Sequence, residues 1–156
     1  MASAGSMIFW KQPMRFFKQH GISLPLASQS TTDAASRFDR GLEKQVSLFG
    51  PDMAKRQTDG PVLRQNINRW LADNCFGDYY TRTGLNDAER EMITFCFLLA
   101  QGGCENQLRG HTAGNFGVGN GKEKLYSVVE QCMPYVGYPR SLNAMGVIDE
   151  VAKAFE

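Results

Sequence analysis

At 156 residues the chain suits one domain with a real core, and 42% apolar against 21% charged residues is an ordinary globular balance. A net charge of +1 is too even for a nucleic-acid binder. No stretch approaches the ~18 uninterrupted apolar residues of a membrane span, so none is expected.

In chain order, residues 1–6 (MASAGS) read as an expression remnant with Met7 as the native start. No acid precedes Asp33, so the first 32 residues carry +3 and the remainder −2. The run IFWKQPMRFFKQHGISLPLA sets Phe9, Pro13 and Phe17 at helical spacing with cations between them. Lys, Gln and Pro interrupt it too often for a signal peptide. It suits a membrane surface or, as the better fit, an arm packed on a partner subunit. ASQSTTDAAS then reads as a linker. Residues 1–34 are thus arm and linker, and 35–156 a single helical domain.

Phe38, Leu42, Val46 and Phe49 form a helical stripe that Gly50-Pro51 ends. Pro61 opens a second helix, with Leu63, Ile67, Trp70, Leu71 and Cys75 on one face. GDYYTRTGLND reads as a connector, and Asp87 as the cap of the next helix. That helix, about 88 to 101, is apolar nearly all round, which predicts central burial or burial against other subunits. QGG breaks it, and a further helix begins near Cys104. Asn120 and Glu123 stand in capping-box spacing. Leu125, Val128, Val129, Cys132 and Val136 follow on one face, and Pro134 should end or kink that helix. Pro139 opens a last helix with Leu142, Met145, Ile148, Val151 and Phe155 inward. The fold class is all-α, a bundle of antiparallel helix hairpins.

The stretch GGCENQLRGH holds the chemistry. Cys104, Gln107, Leu108 and His111 share a helix face. Seven residues put Cys104 and His111 about 10 Å apart along the axis, too far for a hydrogen bond within the helix. Cys104 lies near a helix N-terminus, which favours a thiolate. Glu91 is an acid in an apolar helix: either an exposed first-turn carboxylate serving the helix dipole, or a buried one that needs a partner. The QGG turn lies about ten residues from both Glu91 and His111, so the hairpin sets them at one level. A Glu–His pair in an apolar pocket is a proton-transfer device. Arg82 either clamps a carboxylate or forms a surface ion pair. PYVGYP reads as a helix-hairpin connection, and the glycines of GNFGVGNG follow a helix, so they are not a phosphate cradle. The spacings of Cys75, Cys96, Cys104 and Cys132 fit no zinc site. Reduced thiols of a cytoplasmic protein are the expectation.

The segments RFDRGLEKQVSLFG, YYTRTGLNDAEREMITFCFLLAQGG, NQLRGHTAGNFGVGNGKEKLYSVVEQ and PYVGYPRSLNAM resemble, in order and spacing, the carboxymuconolactone decarboxylase family. The resemblance runs from about residue 37 to the C-terminus. It implies the all-α fold shared with alkyl hydroperoxidase D, assembled as a trimer or hexamer. It implies a decarboxylase that needs no cofactor and no metal and acts on a small lactone or carboxylic acid. His111 matches the family histidine and Glu91 the helix glutamate. Cys104 matches the first cysteine of the hydroperoxidase C-x-x-C, while Gln107 stands where the second would be, so the usual disulfide cycle is missing. The catalytic candidates are His111, Glu91 and Cys104, and the substrate-binding candidates Arg82, Tyr80 and Gln107. The rival readings are a peroxidase using Cys104 with a thiol from elsewhere, and a non-catalytic oligomeric binding protein.

Overall fold

The computed structural model describes residues 13–155. The expression remnant, the Met7 start and the Phe9 end of the arm lie outside them. Among the described residues the regular structure is helical, with no strand. Residues 13–19 form a short helix, followed by α1 (Arg37–Phe49) and a one-turn helix, Asp52–Lys55. α2 (Val62–Trp70) runs on as a π-helix through Leu71–Tyr80. α3 (Asp87–Gln101), α4 (Glu105–Gly117), α5 (Lys122–Val136) and α6 (Tyr138–Ala152) complete the chain. No described helix is long and apolar enough to cross a membrane.

The core lies among α3 to α6. Phe95, Leu99, Leu108, Leu125, Val129, Ala144, Val147 and Ile148 pack together there. α3 buries Glu91, Phe95 and Leu99, one residue per turn, and turns Phe97 outward at 69% exposure. The all-round apolar helix thus has one buried face and one open face in a single chain.

A second unit, α1 against the π-helix, flanks this core. The fully buried residues of α1 are Gly41 and Gln45, whereas the predicted stripe of Phe38, Leu42, Val46 and Phe49 is only half buried. The cause is close backbone approach. A Cβ on Gly41 would collide with the Ala72 carbonyl, and one on Gly77 with the Arg37 carbonyl. Two glycines therefore define the contact line.

Several expectations are corrected. GDYYTRTGLND is not all connector: the π-helix carries on through Tyr80. The stripe opened by Leu63 faces out, with Leu63 94% exposed and Ile67 and Trp70 also open. The cap of α3 is Asn86 rather than Asp87. Asn86 accepts from the Glu89 N–H at 2.9 Å, and Glu89 accepts from the Asn86 N–H at 2.8 Å. Asp87 instead holds Lys44 of α1 at 3.0 Å. Asn120 and Glu123 make no capping box, because Gly121 caps α5 and the Asn120 side chain is turned into the interior. Leu142 and Phe155 are exposed; α6 buries Ser141, Ala144, Val147, Ile148 and Ala152. The linker is tied down: Thr31 and Thr32 donate to the carbonyls of Thr81 and Gly77, and the Thr83 N–H donates to Gln29. Pro134 lies in the last turn of α5, which closes two residues later at Val136.

Candidate active site

The Gly102–Gly103 turn folds α4 back along α3, and the roughly similar spacing on either side of it brings Glu91 and His111 together. His111 Nδ1 lies 2.9 Å from Glu91 Oε2. Glu91 has no exposed surface, whereas the His111 side chain keeps 19%. Glu91 occupies the second turn of α3, beyond the range of a first-turn acid, so the helix-dipole reading falls. With the carboxylate ionised, Nδ1–H donates to it and Nε2 is the ring atom left to exchange a proton.

Space for this pair comes from α4. A Cβ on Gly114 would sit 2.5 Å from Glu91 Oε2 and 2.8 Å from Phe49 Cε1. Phe49 lies edge-on to the His111 ring, with centroids 5.2 Å apart. Phe76 packs on Phe49, and Tyr80 on Phe76. On that side the His111 ring faces an aromatic cluster, and it meets the fully buried Glu91 carboxylate away from bulk water, which strengthens the Glu–His interaction.

The π-helix supplies the remaining polar groups. Tyr80 is buried and its hydroxyl pairs with Thr94 Oγ1 at 2.5 Å. Burial raises its pKa strongly; the Thr94 bond works against this and the nearby Glu91 carboxylate adds to it. Burial, then the Glu91 carboxylate, also pushes the Cys75 thiol up. Tyr80 further lines a cleft of about 370 Å³ whose rim carries Arg82, Arg40 and the Lys44–Asp87 pair, and whose lining includes neither Glu91 nor His111. The loop bearing Arg82 is held from below by Arg90, whose guanidinium donates to the Arg82 carbonyl at 2.6 Å.

Cys104 is placed elsewhere. It caps α4, its thiol donates to the Leu98 carbonyl at 3.4 Å, and it lines a cleft with Arg140 and Asn143 that includes neither Glu91 nor His111. Gln107 is exposed, while Leu108 beside it is buried. Cys96 is pushed up to about 11, first by burial and then by the neighbouring Cys132 thiol. Among the described residues, no group of three or more His, Cys, Asp or Glu side chains is arranged to hold a metal.

Sequence reasoning missed Phe49, Phe76 and Gly114 as parts of the site. Phe49 was visible only as a stripe residue, and Gly114 only as one glycine in a glycine-rich run. A polar residue one turn beyond His111, Asn115, was the available signal for what surrounds the pair.

The model of the carboxymuconolactone decarboxylase family matches residues 65–150, a span that holds Tyr80, Arg82, Glu91, Cys104, Gln107 and His111. The chain is also 30% identical over 118 residues to a 4-carboxymuconolactone decarboxylase from Acinetobacter baylyi, across 75% of this chain and 87% of that relative.

Proposed function

The chain belongs to the carboxymuconolactone decarboxylase family, and on that footing we propose that it is a lyase that removes CO₂ from a small lactone carboxylate without a cofactor. The observation that carries this reading is the buried Glu91 hydrogen-bonded to a partly open His111 beside an aromatic cluster.

Loss of CO₂ leaves an electron pair on the carbon that bore the carboxylate. A conjugated lactone spreads that pair into its ring carbonyl, and the reaction completes when carbon takes a proton. In this reading His111 enters as the imidazolium, with Nδ1–H on Glu91 and Nε2–H as the proton given up. Glu91 orients the ring and stabilises its cationic form. The neutral imidazole then regains a proton from water, so the cycle needs no electron acceptor. Arg82, at the rim of the cleft that Tyr80 lines, holds a substrate carboxylate through its planar fork. Tyr80 and the phenylalanines exclude water from the carbanion.

We assign the functional domain to 35–156, wider than the matched span, because α1 supplies Phe49 against the His111 ring. A homo-oligomer, trimer or hexamer, acting in the cytoplasm completes the reading. The outward faces of Leu63, Ile67, Trp70 and Phe97 support assembly.

The test is CO₂ release from 4-carboxymuconolactone. Wild-type protein should turn it over, and His111→Ala should lose at least about a hundredfold in kcat. A wild-type protein that leaves this lactone untouched would remove the proposed activity.

A further inference from the structure

Asn115 is a fully buried amide one turn after His111. Its Nδ2 makes two hydrogen bonds, and their acceptors are specific. One is the main-chain carbonyl of His111, at 2.7 Å; the other is the main-chain carbonyl of Glu91 across the helix pair, at 3.0 Å. An amide nitrogen has two protons, and here each goes to the backbone of one member of the Glu91–His111 pair. The Asn115 Oδ1 is not idle: it accepts from Asn120 Nδ2 at 2.8 Å. Asn120, also buried, donates from the same nitrogen to the Ala88 carbonyl at 2.7 Å, one turn before Glu91. The Asn120 Oδ1 accepts from the Lys124 ammonium at 2.7 Å.

A chain of donors thus runs from Lys124 through Asn120 and Asn115 to both backbones of the pair. Each link polarises the next in the same direction. Because Asn120 holds the Asn115 oxygen, the Asn115 amide cannot flip without losing a bond. Gly114, adjacent to it, keeps α4 close enough to Glu91 for this span. We infer that Asn115, keyed by Asn120, is the positioning residue of the Glu91–His111 pair: one amide fixes the separation of the two backbones whose side chains form the hydrogen-bonded pair.

This inference rests on the proton-transfer role proposed above, and two readings separate them. The first is steady-state kinetics with 4-carboxymuconolactone. Asn115→Ala and Asn120→Ala should each lower kcat roughly tenfold to a hundredfold while KM stays within about twofold, because geometry is lost rather than substrate contacts. The second needs no turnover: the His111 Nδ1–H resonance of ¹⁵N-histidine-labelled protein. His20 is the other histidine in the chain, and His20→Gln makes the assignment unambiguous. Both asparagine variants should shift or broaden that resonance. A folded Asn115→Ala protein with an unmoved resonance overturns the positioning role. Should Asn115→Ala not fold, Asn120→Ala decides, since it leaves both Asn115 donors present while removing the bond that keys their amide, together with the Asn120 bonds to Ala88 and Lys124. A blank lyase assay together with a shifted resonance overturns the activity and leaves the positioning role standing.

Discussion

Glu91 is a carboxylate without exposed surface, and such a group is costly unless it is paired and hydrogen-bonded. One of its oxygens, Oε2, meets His111. Tyr80, nearby, makes the burial measurable. Its folded pKa is raised above the ordinary tyrosine value of about 10, chiefly by desolvation. For a phenol shifted in that direction, the stability it contributes is intact below about pH 10 and is lost as pH rises further, because the unfolded state ionises first. Tyr80→Phe should therefore be less stable by ~1 kcal/mol at neutral pH, from loss of the Thr94 bond. That deficit should shrink or reverse near pH 11, and urea midpoints at the two pH values check it. Glu91 and His111 were legible in the sequence as a pair because both lie about ten residues from QGG. Gly114 was not, since nothing local says which glycine faces a carboxylate.

At the level of elements, the π-helix is where sequence pattern and structure part. Period-3.6 reasoning ends a helix at GDYY, but i→i+5 bonding from Leu71 carries it to Tyr80 and turns Ala72, Phe76, Gly77 and Tyr80 inward. The contact with α1 is backbone on backbone at Gly41 and Gly77. Gly77→Ala should cost about 1–3 kcal/mol or more, since the neighbour in the way is a carbonyl and cannot rotate aside. It should also lower lyase activity beyond what stability explains, because it moves the turn carrying Phe76 and Tyr80. Chemical denaturation with kcat on the folded fraction separates the two effects. α3, by contrast, was well marked: an acid-rich first turn, an apolar run and a glycine stop. Its cap was displaced by one residue, because Asn86 and Glu89 close a reciprocal pair that Asp87 cannot, and one of its faces, carrying Phe97, stays open.

For the whole molecule, the exposed side chains carry the message. Leu63, Ile67, Trp70, Phe97 and Leu142 lie open on the single chain, and the first three share one face of α2 at helical spacing. Sedimentation equilibrium should return a mass several times the 17.4 kDa of one chain; a monomer at micromolar concentration would remove the proposed assembly. The amino-acid sequence by itself determined the all-α class, the α3–α4 hairpin and the similar placement of Glu91 and His111 about its turn. Those are consequences of hydrophobic period and of glycine breaks, which act over a few residues. Tertiary structure alone decided that Tyr80 belongs to a helix, that the Leu63 stripe faces outward, and that Asn115 binds both backbones of the pair. Each of these depends on how closely two backbones approach, a distance set by side chains far apart in the chain.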